Sequence, residues 1–169
     1  MTNPMAAPFR VAVPPPDWSA VFADPSLPML VDIGCAKGRF LQRAATTDAD
    51  LFESRHGRHN LLGLEIYEPL VSEANRWRQQ QSRAGEPIRD NESLGVNPVS
   101  IQSRGGGGPI SNLHFMACNA NVSLQGMAPP HLRVVTILFP DPWYGLAHVA
   151  RHVIGRRLTK EARVHNACR

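Results

Sequence analysis

Four short, mainly apolar runs stand out in the hydropathy pattern of this 169-residue chain, and segments rich in polar residues, glycine and proline separate them. The runs cover residues 29–33, 60–66, 113–118 and 134–139. Their length and their turn-forming borders are typical of buried strands. Apolar residues recur at helical spacing after the first two runs, over residues 40–45 and 70–77. This order of strands and helices predicts an open α/β sheet.

Polar side chains lie at or just beyond the ends of these runs: Asp32, Glu65, Asn119 and Asp141. The carboxyl ends of parallel strands share one edge of a sheet, and open α/β sheets bind ligands at that edge. Taken singly, each residue is better explained as an ordinary helix N-cap or turn residue. Taken jointly, they predict a nucleoside site, because a carboxylate suits ribose hydroxyls and an amide suits an adenine edge.

The turn after the first run reads Gly34-Cys35-Ala36-Lys37-Gly38. Its glycines allow close approach of a ligand to the backbone, and the helix that follows offers free N–H groups. The spacing differs from the G-x-G-x-x-G fingerprint of dinucleotide-binding proteins. The carboxylate of Asp32 beside the turn also disfavours a pyrophosphate and favours a cationic sulfonium ligand.

Residues 138–143 read Leu-Phe-Pro-Asp-Pro-Trp and follow the fourth run directly. Proline has no N–H for a strand ladder and restricts the residue before it, so the strand must stop here in a rigid turn. The turn is expected to hold Asp141 at the ligand-binding edge.

Together, "VDIGCAKGRFL", "NLLGLEI", "NLHFMACNA" and "LFPDPW" resemble the tRNA (guanine-N7-)-methyltransferase family, in that family's order. The Pro-rich lead is similar to the plant and plastid-type branch. The resemblance implies a class I, Rossmann-like sheet with helices on both faces and S-adenosyl-L-methionine as cofactor. It implies a cofactor pocket lined by Asp32, Gly34, Glu65, Ile66, Asn119, Ala120 and Leu138. Asp141 would then lie at the reacting guanine of a tRNA substrate.

The chemistry of guanine N7 agrees with this set of residues. N7 carries a free lone pair and no proton, so methyl transfer to it needs no general base. It needs alignment, and stabilisation of a guanine that becomes cationic. A carboxylate such as Asp141, accepting hydrogen bonds from the N–H edge of guanine, supplies both.

The chain departs from the family pattern after the Pro-Asp-Pro motif. The family continues with a stretch dense in Lys, Arg and His, of which only His148 aligns well; with Arg151 it is expected to contact RNA. The family then has later strands, a Gly-Gly turn and a further Asp-bearing motif, and none of these is found between the Pro-Asp-Pro motif and Arg169. In a sheet of order 3-2-1-4-5-7-6 the fourth strand is then expected to be an open, aggregation-prone edge. We accordingly expect a truncated methyltransferase domain, incomplete at its C-terminal strands, with no detectable activity as written.

The predicted organisation is a Pro-rich lead (1–28), a partial methyltransferase domain (29–148) and a basic tail (149–169). A disordered insertion is expected at about 82–111, where glycine and proline are frequent and the charges balance. Residues 151–169 hold six Arg or Lys and one Glu, whereas residues 1–150 carry a net charge of −1. The tail is compatible with tRNA phosphate contacts and equally with a solvated segment.

Other classes of site are disfavoured. The three cysteines form no Cys-x-x-Cys pair, so neither a disulfide framework nor a metal site is supported. No apolar run approaches the length of a membrane span. The sequence does not distinguish a cytoplasmic from a plastid location. Two alternatives stay open: a catalytically inactive cofactor- or RNA-binding remnant, and, ranked last, another Rossmann-like nucleotide enzyme such as a dehydrogenase.

Overall fold

A computed structural model describes residues 6–84, 110–127, 131–138 and 163–166. Within these ranges, five parallel strands form one sheet in the order β3-β2-β1-β4-β5. The strands are β1 (Met29–Ile33), β2 (Asn60–Glu65), β3 (Leu113–Ala117), β4 (Leu132–Ile137) and β5 (Arg163–Asn166). The helices are a 3-10 turn at Ala7–Phe9 followed by α1 (Trp18–Val21), α2 (Arg39–Ala44), α3 (Ala49–His56), α4 (Glu68–Ala84) and α5 (Ala120–Met127).

The core lies on both faces of the sheet. Successive side chains of a strand point to opposite faces, and in β1 Val31 joins one buried cluster while Leu30 joins the other. The first cluster includes Phe22 after α1 and Leu124 of α5, and the second includes Leu41 of α2. Burial on both faces explains why β1 and β2 are nearly continuous apolar runs. The predicted α/β sheet with helices on both faces is therefore confirmed.

The expectation that β4 forms an open edge was wrong. Strand β5 pairs with β4 in parallel register, from Val134↔Arg163 to Ile137↔Asn166. Little in the sequence indicates this strand, because Arg163-Val164-His165-Asn166 contains a single apolar residue and lies in a segment rich in basic residues. The fifth strand of the expected sheet order is consequently present, inside the segment interpreted as a basic tail.

The polypeptide before β1 packs on the domain. Phe22 is buried in the first cluster, and Trp18 and Val21 of α1 pack against it. The backbone N–H of Ala23 donates to the carbonyl of Ser111, 3.1 Å away. Of the predicted insertion, residues 85–109 lie outside the described residues; Ile110 packs against the second cluster.

Candidate active site

The site is built where the strand order reverses. The chain moves outward from β1 to β2 and β3, then crosses back to β4 on the other side of β1. Such a reversal leaves a crevice at the carboxyl edge of the sheet, because the crossover helices leave in opposite directions. Asp32 of β1 lies at this point, paired in register with Gly63 on one side and Thr136 on the other.

The turn after β1 keeps its backbone accessible. Gly34, with φ of +72°, and Gly38, with φ of +70°, take the left-handed conformation that favours glycine. The N–H groups of Gly34 and Cys35 both donate to the carbonyl of Leu64, at 2.8 and 3.1 Å, which ties the turn to β2. A Cβ atom built on Gly34 would meet no atom of the described residues within 4 Å. The turn therefore leaves open space beside its backbone, as a ligand cradle requires.

Glu65 connects β2 to this turn. One carboxylate oxygen, Oε2, accepts the N–H of Ala36 at 3.0 Å. The other, Oε1, accepts the N–H groups of Ile66 at 2.8 Å and Tyr67 at 3.0 Å. An ionised carboxylate offers about four acceptor positions, so these three bonds fix its orientation and leave capacity for a ligand hydroxyl. The half-buried Ile66 follows directly along the crevice.

Asn119 caps α5. Its side-chain oxygen accepts the N–H of Asn121 at 3.1 Å, and its carbonyl accepts the N–H groups of Val122 and Ser123. Its side-chain nitrogen donates to the carbonyl of Phe9, 2.9 Å away. The N-cap interpretation, weighed for the sequence as the plainer one, therefore describes the local geometry. Contact with an adenine stays a prediction for Asn119, as does the place of Ala120, which opens the helix, in the cofactor pocket.

Asp32 is the most deeply buried acid of the site, with 2% of its surface exposed. Its Oδ1 accepts the Thr136 hydroxyl at 2.7 Å. Burial raises the pKa of Asp32 to about 6, and the Thr136 hydrogen bond opposes that rise. Sequence reasoning missed Thr136, which it counted as part of an apolar strand. The usable signal was a hydroxyl at the ligand-binding end of a strand predicted to neighbour an acid-bearing one.

The cysteines of the site are packing residues. Cys35 and Cys118 are both free and buried. Burial is the largest cause that raises the pKa of each thiol, to about 11 for Cys118. A neutral, buried thiol is a poor nucleophile and a poor metal ligand. Within the described ranges, no group of three or more His, Cys, Asp or Glu side chains is placed to hold a metal ion.

The remaining predicted residues divide between the described and the undescribed parts of the chain. Leu138 is half-buried and directly follows β4. Asp141, His148 and Arg151 lie outside the described residues, so their roles stay predictions from the sequence. Across the parts of the chain that the structure describes, none of the helices is long and apolar enough to span a membrane.

The sequence of this chain matches a family model and several curated proteins. A family model described as "Putative methyltransferase" matches residues 26–167. A tRNA (guanine-N(7)-)-methyltransferase of Trichormus variabilis is 36% identical over 163 residues, covering 94% of this chain and 60% of that protein. The protein of the same name from Thermosynechococcus vestitus is 36% identical over 155 residues, covering 90% of this chain and 55% of that protein. The chain thus spans a little over half the length of these curated relatives.

Among solved structures, the plantazolicin methyltransferase BpumL in complex with SAH is a distant match. It is 12% identical, with a TM-score of 0.36, and the alignment covers 88% of this chain and 41% of that chain. The likeness is too low to support an argument about the site.

Proposed function

We propose that this chain, which belongs to the putative methyltransferase family, binds S-adenosyl-L-methionine and serves methyl transfer to N7 of a guanine in tRNA. The curated relatives support the reaction and the substrate through their shared name, tRNA (guanine-N(7)-)-methyltransferase. The sheet, with its site at the reversal of strand order, supports a nucleoside-binding role.

The observation that carries the cofactor proposal is a buried carboxylate beside an open glycine turn. Asp32 is almost fully buried at the end of β1, and a Cβ on Gly34 would meet no described atom within 4 Å. A negative charge here repels a pyrophosphate and attracts a cation at short range in a low-dielectric environment. The residues present therefore fit S-adenosylmethionine, which supplies a methyl group on a positively charged sulfur.

Each side chain of the crevice has a distinct proposed task. Asp32 holds negative charge at the bottom of the site and favours the cationic end of the cofactor. Glu65, oriented by three backbone N–H groups, accepts hydrogen bonds from ribose hydroxyls. Asn119 and Ala120 at the start of α5, with Ile66 and Leu138, border the adenine and exclude water from it.

The methyl-transfer step requires no general base from the protein, because guanine N7 carries no proton. When bound, the cofactor would supply a methyl group to the N7 lone pair, with the electrons of the broken C–S bond left on sulfur, so no proton would have to be removed from N7. Asp141 would accept the N–H edge of guanine and stabilise the positive charge that develops on the base. His148 and Arg151 would contact tRNA phosphates, as basic residues near nucleic acid commonly do.

Replacing Glu65 with alanine is expected to weaken S-adenosylmethionine binding about tenfold or more, because charge-assisted hydrogen bonds of roughly 1.5–3 kcal/mol are lost. Calorimetric titration of the purified protein measures the change. Glu65→Gln keeps one acceptor oxygen and should fall between alanine and the native protein. Glu53→Ala, an exposed acid of α3, is the matched control and should bind as the native protein does. Unchanged affinity in a folded Glu65→Ala variant would remove Glu65 from the site.

The dehydrogenase alternative makes the opposite prediction about the ligand. A nicotinamide dinucleotide carries a pyrophosphate, which the Asp32 carboxylate disfavours, and the turn lacks the spacing typical of its binding. The same titration with NAD in place of S-adenosylmethionine should therefore give no binding. An inactive remnant would instead bind S-adenosylmethionine and transfer no methyl group.

A further inference from the structure

We propose that Thr136 is a positioning residue of the cofactor site: its hydroxyl keeps the buried Asp32 carboxylate ionised and oriented at the crevice, and thereby sets the pH range in which the cofactor binds. The part that concerns the cofactor rests on the proposed function, since it takes the crevice to bind a cationic ligand. The link between Thr136 and Asp32 rests on the geometry of the sheet alone.

Asp32 and Thr136 form a hydrogen-bonded pair of side chains on neighbouring strands. Asp32 and Thr136 are register partners on β1 and β4, and Thr136 Oγ1 donates to Asp32 Oδ1 over 2.7 Å. Their exposed fractions are 2% and 5%. A hydroxyl buried without a partner is costly, and the neighbours of Thr136 along β4, Val135 and Ile137, are apolar and buried. The carboxylate gives this hydroxyl its partner.

The position of the pair connects it to ligand binding. It bridges the two strands between which the strand order reverses, at the edge where the crevice opens. A hydrogen bond here fixes the rotamer of a charged group that would face the ligand. Loss of this hydrogen bond would allow the Asp32 carboxylate to rotate away from the orientation in which it would face a bound cation.

The charges around Asp32 leave Thr136 as its main stabilising partner. Burial raises the pKa of Asp32, and the Thr136 hydrogen bond is the one identified cause that lowers it. The titratable neighbours are acidic: Glu65 on β2 and the thiol of Cys35, whose pKa both carboxylates raise. Lys37 in the glycine turn pairs with Glu73 of α4 at 2.9 Å, and Arg133 of β4 is exposed. Strand β5 adds two basic residues beside β4, His165 in register with Thr136 and Arg163 in register with Val134. Among the side chains that the structure describes, no cation substitutes for the hydroxyl.

The consequence is a defined pH dependence. In the native protein the charged form of Asp32 predominates above its pKa of about 6, so affinity for the cationic cofactor should fall as the pH drops through that value. Without the hydroxyl, the protonated form persists to higher pH. The protein should then bind the cofactor less well at neutral pH and equally well at high pH.

The test uses Thr136→Val, which keeps the shape and removes the hydroxyl, and Thr136→Ser, which keeps the hydroxyl. S-adenosylmethionine affinity is measured by calorimetry from pH 5 to pH 9. The midpoint of the affinity loss should rise by about one pH unit in Thr136→Val. Binding at pH 7 should weaken severalfold, affinity at pH 9 should match the native protein, and Thr136→Ser should restore the native profile.

A second measurement needs no cofactor. Unfolding in urea across the same pH range reports the titration of Asp32 in the native state. Folding raises the pKa of Asp32, so the free energy of unfolding falls as the pH rises from the unfolded to the folded pKa. In Thr136→Val the folded pKa should be higher still, so this decrease should continue to a higher pH. If the native protein bound no S-adenosylmethionine while this shift appeared, the link to Asp32 would stand and the proposed function would fail.

Two results would overturn the inference. One is an unfolding profile in Thr136→Val with the native midpoint. The other is a loss of affinity by the same factor at every pH without rescue by serine, which would mark Thr136 as a packing residue.

Discussion

Gly38→Ala is expected to destabilise the fold by about 2–5 kcal/mol, the combined cost of a strained left-handed alanine and an overpacked core. Gly38 has a φ of +70°, and a Cβ built on it would lie 2.2 Å from Cε1 of Phe115. Phe115 is buried in β3 with 2% of its surface exposed, so its ring has little room to move. Equilibrium unfolding in urea measures the change.

Gly34, in the same turn, provides the control for backbone strain. Its φ is +72°, and a Cβ there would meet no described atom within 4 Å. Gly34→Ala should therefore cost about 1–2 kcal/mol, the strain of the left-handed conformation alone. Adding Phe115→Leu to Gly38→Ala should recover part of the loss, and a double-mutant cycle measures that coupling. Equal destabilisation by the two alanine variants would show that Phe115 does not press on Gly38.

Asp32→Asn is expected to stabilise the protein at pH 8 by about 3 kcal/mol, which is the free-energy equivalent of a pKa raised by about two units. The same substitution is expected to weaken cofactor binding tenfold or more. Burial raises the pKa of Asp32 from 3.8 to about 6, so the folded state binds more protons than the unfolded state between those values. Its stability must then fall as the pH rises from about 4 to about 6 and stay lower above. Asparagine removes the buried charge and still accepts the Thr136 hydroxyl.

Urea unfolding at pH 8 and below pH 4 tests this prediction. The Asn variant should exceed the native protein at pH 8 and match it at low pH, where the native carboxyl is protonated. Asp50→Asn, an exposed acid in the first turn of α3, should change little at either pH. A variant no more stable than the native protein at pH 8 would show that the charge of Asp32 is well solvated. The opposite effects expected on stability and binding are typical of residues kept for function.

Strands β1 to β4 and the glycine turn were predictable because their signals are local. Continuous apolar runs indicate strands buried on both faces, and the turn between Gly34 and Gly38 is readable from residue type alone. The parallel order then brings Asp32 and Glu65 to one edge without further information. These inferences needed only the polypeptide near each residue.

The features that the sequence did not reveal depend on distant contacts. Strand β5 is short, nearly lacks apolar residues and exists through its pairing with β4. The bond between Thr136 and Asp32 joins residues 104 positions apart. The donation from Asn119 to the carbonyl of Phe9 joins residues 110 positions apart. In each case the partner was set by the register and packing of the whole sheet, which no local pattern encodes.

Gly63 is a position where the residue type indicates a close approach and the structure identifies the neighbouring side chains. The sequence shows only a glycine within an apolar strand, which indicates a close approach without naming the neighbour. In the structure a Cβ there would lie 2.5 Å from Cδ1 of Phe115 and 2.8 Å from Sγ of Cys35. The same aromatic ring thus fills the space left by Gly38 and Gly63.

The central proposal is that this chain serves S-adenosylmethionine-dependent methyl transfer to guanine N7 of tRNA. The most direct measurement uses a chimera in which the chain replaces the matching part of the Trichormus variabilis relative, with and without Asp141→Ala. Labelled S-adenosylmethionine and unmodified tRNA are supplied, and the nucleosides of the product are separated. The account predicts labelled 7-methylguanosine from the chimera and its loss in the Asp141→Ala form. A folded chimera that binds the cofactor and yet labels another position, or none, would contradict it.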